Sequence, residues 1–201
     1  MKESTSLTDF PELEKLRVLY EDSARDCTKC KLHATRKNVV FGVGHPQRPK
    51  VAFLGEAPGA EEDESGHPFI GQAGKLLDKM IDAMGFDRLR DTYILNSAMC
   101  RPPDNRTPEA DELTECRPFV VEQLRIVQPQ YIVCLGTTAM KQLLQTKAPV
   151  GEARGKWHAW EDVPVRVTYH PAYLLRMPRM KPEAWKDLQA VMEELGKGKG
   201  G

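Results

Sequence analysis

The chain has 201 residues, of which 29 are basic and 29 are acidic, so its formal net charge at pH 7 is zero. This length suits one domain with a sizeable buried core. Because the net charge is zero, a nucleic acid could be bound only by a local basic patch and not by the surface as a whole. The sequence shows no apolar signal region and no run approaching the roughly 18 apolar residues of a membrane span, so we expect a cytoplasmic protein without a membrane partner.

The first predicted element is a helix that begins near Pro11, because Leu13, Leu16 and Leu19 recur at helical spacing. Four apolar runs then predict strands, at residues 51–54, 92–95, 131–135 and 165–168. Further helices are predicted around residues 76–84, over 107–127 with a kink or break at Pro118, and over 137–145 and 182–195.

Strands that alternate with helices in this way indicate an α/β fold, with a mostly parallel sheet covered on both faces. We expect a single domain over residues 1–195. The glycine- and lysine-rich residues 196–201 that follow are expected to form a flexible tail.

Four of the five cysteines form two pairs. Cys27 and Cys30 are separated by two residues, and fifteen residues lie between Cys100 and Cys116; Cys134 lies in an apolar run and is expected in the core. The two pairs can supply four thiolates to one metal centre, and both zinc and an iron–sulfur cluster accept such a set, so spacing alone does not identify the metal. Disulfides are the alternative, but in a reducing compartment paired cysteines more often bind metal.

Polar residues follow three of the predicted strands. Glu56 comes directly after the first strand, Asn96 after the second and His170 after the fourth. Ligand sites of parallel sheets lie beyond the carboxyl ends of the strands, so these side chains are expected to converge. Together with Phe69 they would form a pocket for a flat polar ring. Each also has a structural interpretation, as a loop-capping carboxylate, a turn histidine or a core ring.

Taken together, these motifs resemble the family 4 uracil-DNA glycosylases. The resemblance runs from about Cys27 to Leu195 and rests on Gly55-Glu56-Ala57-Pro58-Gly59 with its acidic run, Pro68-Phe69-Ile70-Gly71, Asn96, the paired cysteines and His170-Pro171-Ala172-Tyr173-Leu174-Leu175-Arg176. It implies hydrolysis of the bond between uracil and deoxyribose in single- or double-stranded DNA, which leaves an abasic site. It further implies a three-layer α/β/α fold around a four-stranded parallel sheet, and a structural [4Fe–4S] cluster held by Cys27, Cys30, Cys100 and Cys116.

The resemblance also implies roles for individual residues. Glu56 is expected to position or deprotonate water, and His170 to hydrogen-bond a uracil carbonyl oxygen as charge develops there. Asn96 would read the pyrimidine edge and Phe69 would stack on the base. The remaining expected substrate contacts are Gly55, Ala57, Gly59 and Glu62.

A DNA-facing surface is predicted around His170. Because a base inside a duplex must be rotated out of the stack, Tyr173, Leu174 and Leu175 are expected to fill the gap, with ordinary core leucines as the alternative. Residues 165–186 carry a local excess positive charge of +4, which is expected to bind phosphates. The charged residues are Arg166, Arg176, Arg179, Lys181 and Lys186, opposed by Glu183. Arg101 and Arg106, close to a cluster cysteine, are expected to extend this surface.

Two other functions would use the same fold. A related group captures uracil-DNA covalently through a histidine in an inserted loop after the second strand, but residues 100–107 contain no histidine. The second is a non-catalytic DNA-binding module stabilised by a metal centre, against which intact Glu56, Asn96 and His170 count. We expect a monomer that binds uracil-containing DNA, with replication or repair proteins as further partners.

Overall fold

A computed structural model describes residues 10–197 and contains one sheet of six strands. The strands are β1 (Val43–Gly44), β2 (Val51–Gly55), β3 (Thr92–Asn96), β4 (Tyr131–Leu135), β5 (Trp157–Trp160) and β6 (Val163–Thr168), in the spatial order β1-β3-β2-β4-β6-β5. The four central strands are parallel, and β1 and β5 are antiparallel edges. The carboxyl ends of β2, β3, β4 and β6 therefore meet at one edge of the sheet.

The four predicted strands are the four central strands, which confirms the α/β class with a mostly parallel sheet. The expectation of four strands in total is wrong, because two edge strands complete the sheet. β1 has only two residues, and three of the four residues of β5 are exposed or half-buried. Neither segment has the continuous apolar pattern by which a sequence reveals a central strand.

Eight α-helices surround the sheet in the part of the chain that is described. They are α1 (Pro11–Leu19), α2 (Ala60–Ser65), α3 (Gln72–Ala83), α4 (Ala110–Val127), α5 (Gly136–Leu144), α6 (Val150–Ala153), α7 (Pro171–Arg176) and α8 (Lys181–Lys197). A π-helical turn (Tyr20–Ala24) continues α1, and 3₁₀ turns occupy Lys31–Ala34, Pro103–Asn105 and Pro178–Met180. Within residues 10–197, no helix has both the length and the apolar character required to traverse a lipid bilayer.

Two predicted helix features differ from the structure. α4 passes through Pro118 as one helix, because the side chains around the proline, including Cys116 and Phe119, are buried and packing outweighs local propensity. α8 extends to Lys197, two residues beyond the predicted domain boundary at 195. The rest of the predicted tail, residues 198–201, lies outside the described residues.

Two apolar clusters cover the two faces of the sheet. Leu54 and Leu95 belong to a cluster with side chains of α1, α4 and α5, whereas Phe53 and Ile94 belong to a cluster with α3 and α8. Neighbouring residues of one strand point to opposite faces, so β2 and β3 contribute to both clusters. The helices thus form two outer layers around the sheet, as expected for a three-layer α/β/α fold.

A third apolar cluster lies beside the sheet and contains the paired cysteines. It combines residues 24–41 with residues 98–119, and its members include Leu32, Met99 and Phe119. The Val40 N–H donates to the Met99 carbonyl at 2.8 Å, which joins the two segments. We call these two segments the cysteine lobe.

Candidate active site

The carboxyl ends of the central strands open into a cleft with a volume of about 380 Å³. Its walls include Glu56, Asn96, Phe69 and His170, so the predicted convergence of the strand ends does occur. Three further predicted substrate contacts, at positions 57, 59 and 62, also line it. Parallel pairing causes the convergence, because Gly55 lies directly beside Asn96 in the register of β2 and β3.

Glu56 enters the cleft directly after the last residue of β2. Its backbone carbonyl accepts a hydrogen bond from the Ala98 N–H at 3.0 Å. Its carboxylate Oε2 accepts a hydrogen bond from the hydroxyl of Thr138, a buried residue in the first turn of α5. The β3–α4 connection therefore holds the backbone of Glu56, and α5 holds its carboxylate.

Asn96, at the end of β3, is 3% exposed. Its side-chain Oδ1 is buried without a hydrogen-bond partner in residues 10–197. An unpaired buried acceptor lowers stability, so this oxygen is a candidate ligand contact. A Cβ atom at Gly55 would overlap both Asn96 Oδ1 and the Phe69 ring, which explains the glycine there.

Phe69 is held in a left-handed backbone conformation, with φ of 54°. Such a conformation is strained for an aromatic residue and persists only where the surroundings enforce it. Arg88 donates to the neighbouring Pro68 carbonyl at 2.7 Å, and only a glycine fits at position 74, where a Cβ would overlap the Phe69 carbonyl. The ring lines the cleft with its centroid 5.7 Å from that of His170.

Glu62 lines the cleft, but its carboxylate is already engaged. Oε2 accepts from the Gly59 N–H at 3.1 Å, and Oε1 accepts from the N–H groups of Ile70 and Gly71 at 3.0 and 2.8 Å. The carboxylate thus joins the start of α2 to the segment that carries Phe69. The structure therefore supports a loop-organising role for Glu62 in place of the expected direct contact with substrate.

His170 is the N-cap residue of α7. Its Nδ1 accepts a hydrogen bond from the Ala172 N–H at 3.1 Å, so the neutral ring carries its proton on Nε2. Burial, followed by the nearby positive charge of Arg176, lowers the pKa of His170 to about 4. At neutral pH the side chain is therefore an uncharged imidazole that offers one N–H donor.

Several residues in and beside the cleft were not predicted. Thr138, which donates to Glu56, lies in the first turn of α5, a segment without predicted site residues. Gln72, Pro102 and Asn105 line the wall together with Arg106, which had been assigned to the DNA surface. The position of Thr138 directly after a central strand was the available signal, whereas the others come from connections whose paths the sequence does not indicate.

The predicted DNA-facing residues of α7 divide into two groups. Leu174 is 1% exposed and packs in the core, so the prediction that it lies at the surface is wrong. Leu175 is 43% exposed, and Tyr173 is half-buried with its ring 5.1 Å from that of Tyr169. In a helix, adjacent residues point in different directions, so one leucine anchors α7 and the other faces outward.

The predicted basic patch also divides. Arg176 and Arg179 are exposed. Arg166 is buried, donates to Asp187 at 3.4 Å and lies over the Trp157 ring, so its assignment to the phosphate-binding surface is wrong. Strand β6 alternates faces, and the burial of its arginine depends on a partner in α8 that sequence spacing does not reveal.

Arg101 and Arg106 lie on the connection between β3 and α4. Arg101 donates to the Asn105 Oδ1 at 2.8 Å. Arg106 lines the cleft and forms two hydrogen bonds with the buried carboxylate of Glu112, at 2.6 and 2.8 Å. Its guanidinium is therefore committed to α4, which limits the phosphate contact expected of it.

The four paired cysteines lie together in the cysteine lobe as free thiols. The Arg36 guanidinium donates to the Cys100 Sγ at 3.3 Å and to the Cys27 carbonyl at 2.7 Å, and so connects the two pairs. Burial raises the pKa of Cys30 and of Cys100, and raises that of Cys116 to about 12. Thiolates at these positions would require a bound cation to compensate for the loss of water.

The described residues include no group of three or more His, Cys, Asp or Glu side chains placed to hold a single metal ion. The four thiols are nevertheless near enough that each of Cys30, Cys100 and Cys116 feels the charge of other members of the set. Cys134 is separate from this set and buried in the core, as expected.

Comparison with known proteins identifies similar sequences over most of the chain. The family described as Uracil DNA glycosylase superfamily matches residues 41–189. A type-4 uracil-DNA glycosylase of Pyrobaculum aerophilum is 40% identical over 88% of this chain and 91% of its own length. A protein of the same name from Saccharolobus solfataricus is 38% identical over 88% of this chain and 85% of its own length. One from Thermotoga maritima is 41% identical over 81% of this chain and 85% of its own length.

Proposed function

This chain belongs to the uracil DNA glycosylase superfamily, and we propose that its cleft hydrolyses the N-glycosidic bond of deoxyuridine in DNA, as the first step of base excision repair. The products are free uracil and an abasic site. The observation that carries the proposal is the meeting of Glu56, Asn96, Phe69 and His170 in one cleft at the carboxyl edge of the sheet. Its volume suits one extruded pyrimidine nucleoside.

His170 stabilises the departing base. As the bond from the sugar C1′ to the uracil N1 breaks, its electron pair moves onto uracil, and negative charge develops on the ring and its carbonyl oxygens. The Nε2–H of the neutral imidazole is the donor that we assign to one of these oxygens. A donor placed for the transition state in a dry site contributes about 3–4 kcal/mol.

Asn96 and Phe69 recognise the base. The unpaired Oδ1 of Asn96 is an acceptor for the uracil N3–H, and the amide nitrogen is a donor for an adjacent carbonyl oxygen. Cytosine, with an acceptor at N3, would leave this buried oxygen unpaired, and such a mismatch discriminates strongly. The ring of Phe69, fixed by its left-handed backbone, provides a stacking surface for the base.

Glu56 acts on the opposite side of the reaction. Its carboxylate positions a water molecule and accepts a proton from it as the water oxygen bonds to C1′. The same negative charge stabilises the cation-like sugar of the transition state. Since Thr138 already occupies Oε2, Oε1 is the oxygen that we assign to the water.

The DNA binds across α7. Rotation of the nucleotide out of a duplex costs roughly a few kcal/mol, and the exposed Leu175, with Tyr173 beside it, is placed to fill the gap. Arg176 and Arg179 contact the phosphates on either side. Half-buried Arg101 is not required for this arrangement and would add a contact from the β3–α4 connection.

The cysteine lobe would hold a [4Fe–4S] cluster through Cys27, Cys30, Cys100 and Cys116. The gathering of these four cysteines in one lobe supports a centre that takes four thiolates, as such a cluster does. Such a cluster would supply positive charge to buried thiolates and a covalent link between the two segments of the lobe. Reduced thiols are consistent with a cytoplasmic protein, and we propose that it acts as a monomer.

A strand-scission assay tests the function. The holoprotein is incubated with a uracil-containing oligonucleotide, and abasic sites are then cleaved with alkali. We expect scission by the wild type and loss of rate by about 100-fold or more in His170→Ala. His67→Ala, at an exposed histidine outside the cleft, is the matched control and should cleave normally. Binding of the oligonucleotide without scission by the wild type would instead identify a non-catalytic module.

A further inference from the structure

Thr138 is a buried hydroxyl whose one side-chain partner in the described residues is a reacting group of the cleft. It lies in the first turn of α5, directly after β4 and Leu135, and is 6% exposed. Its Oγ1 donates to Glu56 Oε2. A threonine in the first turn of a helix usually bonds to backbone groups of its own helix. Thr138 instead bonds to a side chain that follows the end of β2.

The surroundings leave the Glu56 carboxylate with little else to orient it. In residues 10–197 no lysine, arginine or histidine forms an ion pair with it, and Thr138 is its one side-chain hydrogen-bond donor. The backbone of Glu56 is fixed by Ala98, but several side-chain torsions separate that backbone from the carboxylate. A single hydroxyl therefore selects which rotamer and which oxygen face the cleft.

We propose that Thr138 is a positioning residue of the glycosylase reaction, which binds one oxygen of Glu56 so that the other is presented to the attacking water. This inference rests on the role proposed above for Glu56. Thr138 makes no contact with the reacting atoms in this scheme; it acts through the carboxylate.

The chain offers a matched set of variants. Thr138→Val keeps the shape of the side chain but replaces the hydroxyl by a methyl group, and Thr138→Ser keeps the hydroxyl. Thr137→Val, at the exposed neighbouring threonine, removes a hydroxyl from the same helical turn outside the cleft. The measurements are single-turnover rates on a uracil-containing oligonucleotide, the affinity for an uncleavable 2′-fluorodeoxyuridine oligonucleotide, and the melting temperature of the holoprotein.

We expect Thr138→Val to lower the single-turnover rate by about 10- to 100-fold, the size of a lost hydrogen bond to a charged group. Affinity for the uncleavable oligonucleotide should change by less than about 2-fold, because Thr138 does not touch the base. Thr138→Ser should restore most of the rate, and Thr137→Val should match the wild type. A rate loss explained by weaker binding, or a slow Thr138→Ser, would overturn the proposal.

A double-mutant cycle separates this proposal from the role of Glu56 itself. If Thr138 acts through Glu56, Thr138→Val should cost little in a Glu56→Gln background. An equal loss in both backgrounds would assign Thr138 another role and overturn the inference. A Glu56→Gln enzyme as fast as the wild type would instead refute the function proposed for the carboxylate. If Thr138→Val does not fold, Thr138→Ala enters the same cycle.

Discussion

The catalytic cleft and the cysteine lobe share the connection between β3 and α4, yet they are held in place differently. Glu56, Asn96 and His170 lie at the ends of strands whose residues are almost all buried and paired with neighbouring strands. The thiols of Cys27, Cys30 and Cys100 instead lie on loops and turns. The sheet therefore positions the backbone of these three cleft residues, whereas we expect the lobe to depend on the proposed cluster.

Removal of the proposed cluster is the strongest test of this contrast. Chelation of iron, or Cys116→Ser, should leave buried thiols without a compensating charge. We expect amide hydrogen exchange to rise by about 100-fold or more in residues 24–41 and 98–119, while β2, β4 and β6 stay protected. Cys134→Ala, a core thiol outside the lobe, should retain its iron. Equal loss of protection in the lobe and the sheet would contradict the separation.

The pH dependence of stability tests the environment of the cleft. The pKa of His170 is lowered to about 4 in the folded protein. As pH falls, the unfolded chain therefore binds a proton near pH 6.5, whereas the folded chain binds it only near pH 4. The free energy of unfolding is thus at its full value above about pH 6.5, where His170 is neutral in both states, and decreases as pH falls from about 6.5 to about 4. Between pH 7 and pH 4.5 the free energy of unfolding should fall by about 2–3 kcal/mol more in the wild type than in His170→Asn. Denaturant unfolding at both pH values measures this difference.

Glu62 tests whether a hydrogen-bonded loop, rather than the sheet, sets the position of Phe69. Glu62→Ala would leave the N–H groups of Gly59, Ile70 and Gly71 without their acceptor, so the stacking ring should lose its fixed place. We expect kcat/KM on uracil-DNA to fall about 10-fold, with partial recovery in Glu62→Gln, which keeps one acceptor. Glu64→Ala, at an exposed position of the same helix, is the control. Full activity of Glu62→Ala would disprove the loop-organising role.

The smallest expected effect concerns the outer surface of α7. Arg176→Ala should weaken DNA binding a few-fold and make the plot of log affinity against log salt shallower by about 0.9, the value for one phosphate contact. Arg125→Ala removes an exposed arginine that pairs with Glu161 in the turn between β5 and β6, so its slope should not change. An unchanged slope for Arg176→Ala would place the phosphates elsewhere.

The sequence was sufficient to predict the central sheet and the convergence of the cleft. Buried parallel strands are continuous apolar runs, and their carboxyl ends lie at one edge, so Glu56, Asn96 and His170 were placed correctly without knowledge of side-chain contacts. The gathering of the four cysteines in one lobe was predicted from their pairing alone. The spacing did not identify a metal, because zinc and an iron–sulfur cluster both accept four thiolates.

Burial of individual side chains could not be predicted in the same way. Leu174 and Leu175 are the same residue type at adjacent positions, and only the packing of α7 shows that the first is core. Arg166 was counted as a surface charge because its partner Asp187 lies on another helix. Glu62 differs from its expected role because its partners are backbone N–H groups, and Thr138 was not predicted because its partner Glu56 is distant in the chain.

The wide separation of the two cysteine pairs along the chain has a consequence for biosynthesis. Cys27 and Cys30 leave the ribosome before β2 and β3 are made, and Cys116 emerges only with the first turns of α4. During that interval the early thiols are exposed to oxidants and to competing metals. Assembly of the proposed cluster would therefore wait until translation has passed the start of α4, which would make the yield of active enzyme sensitive to the oxygen and iron supply of the growing cell.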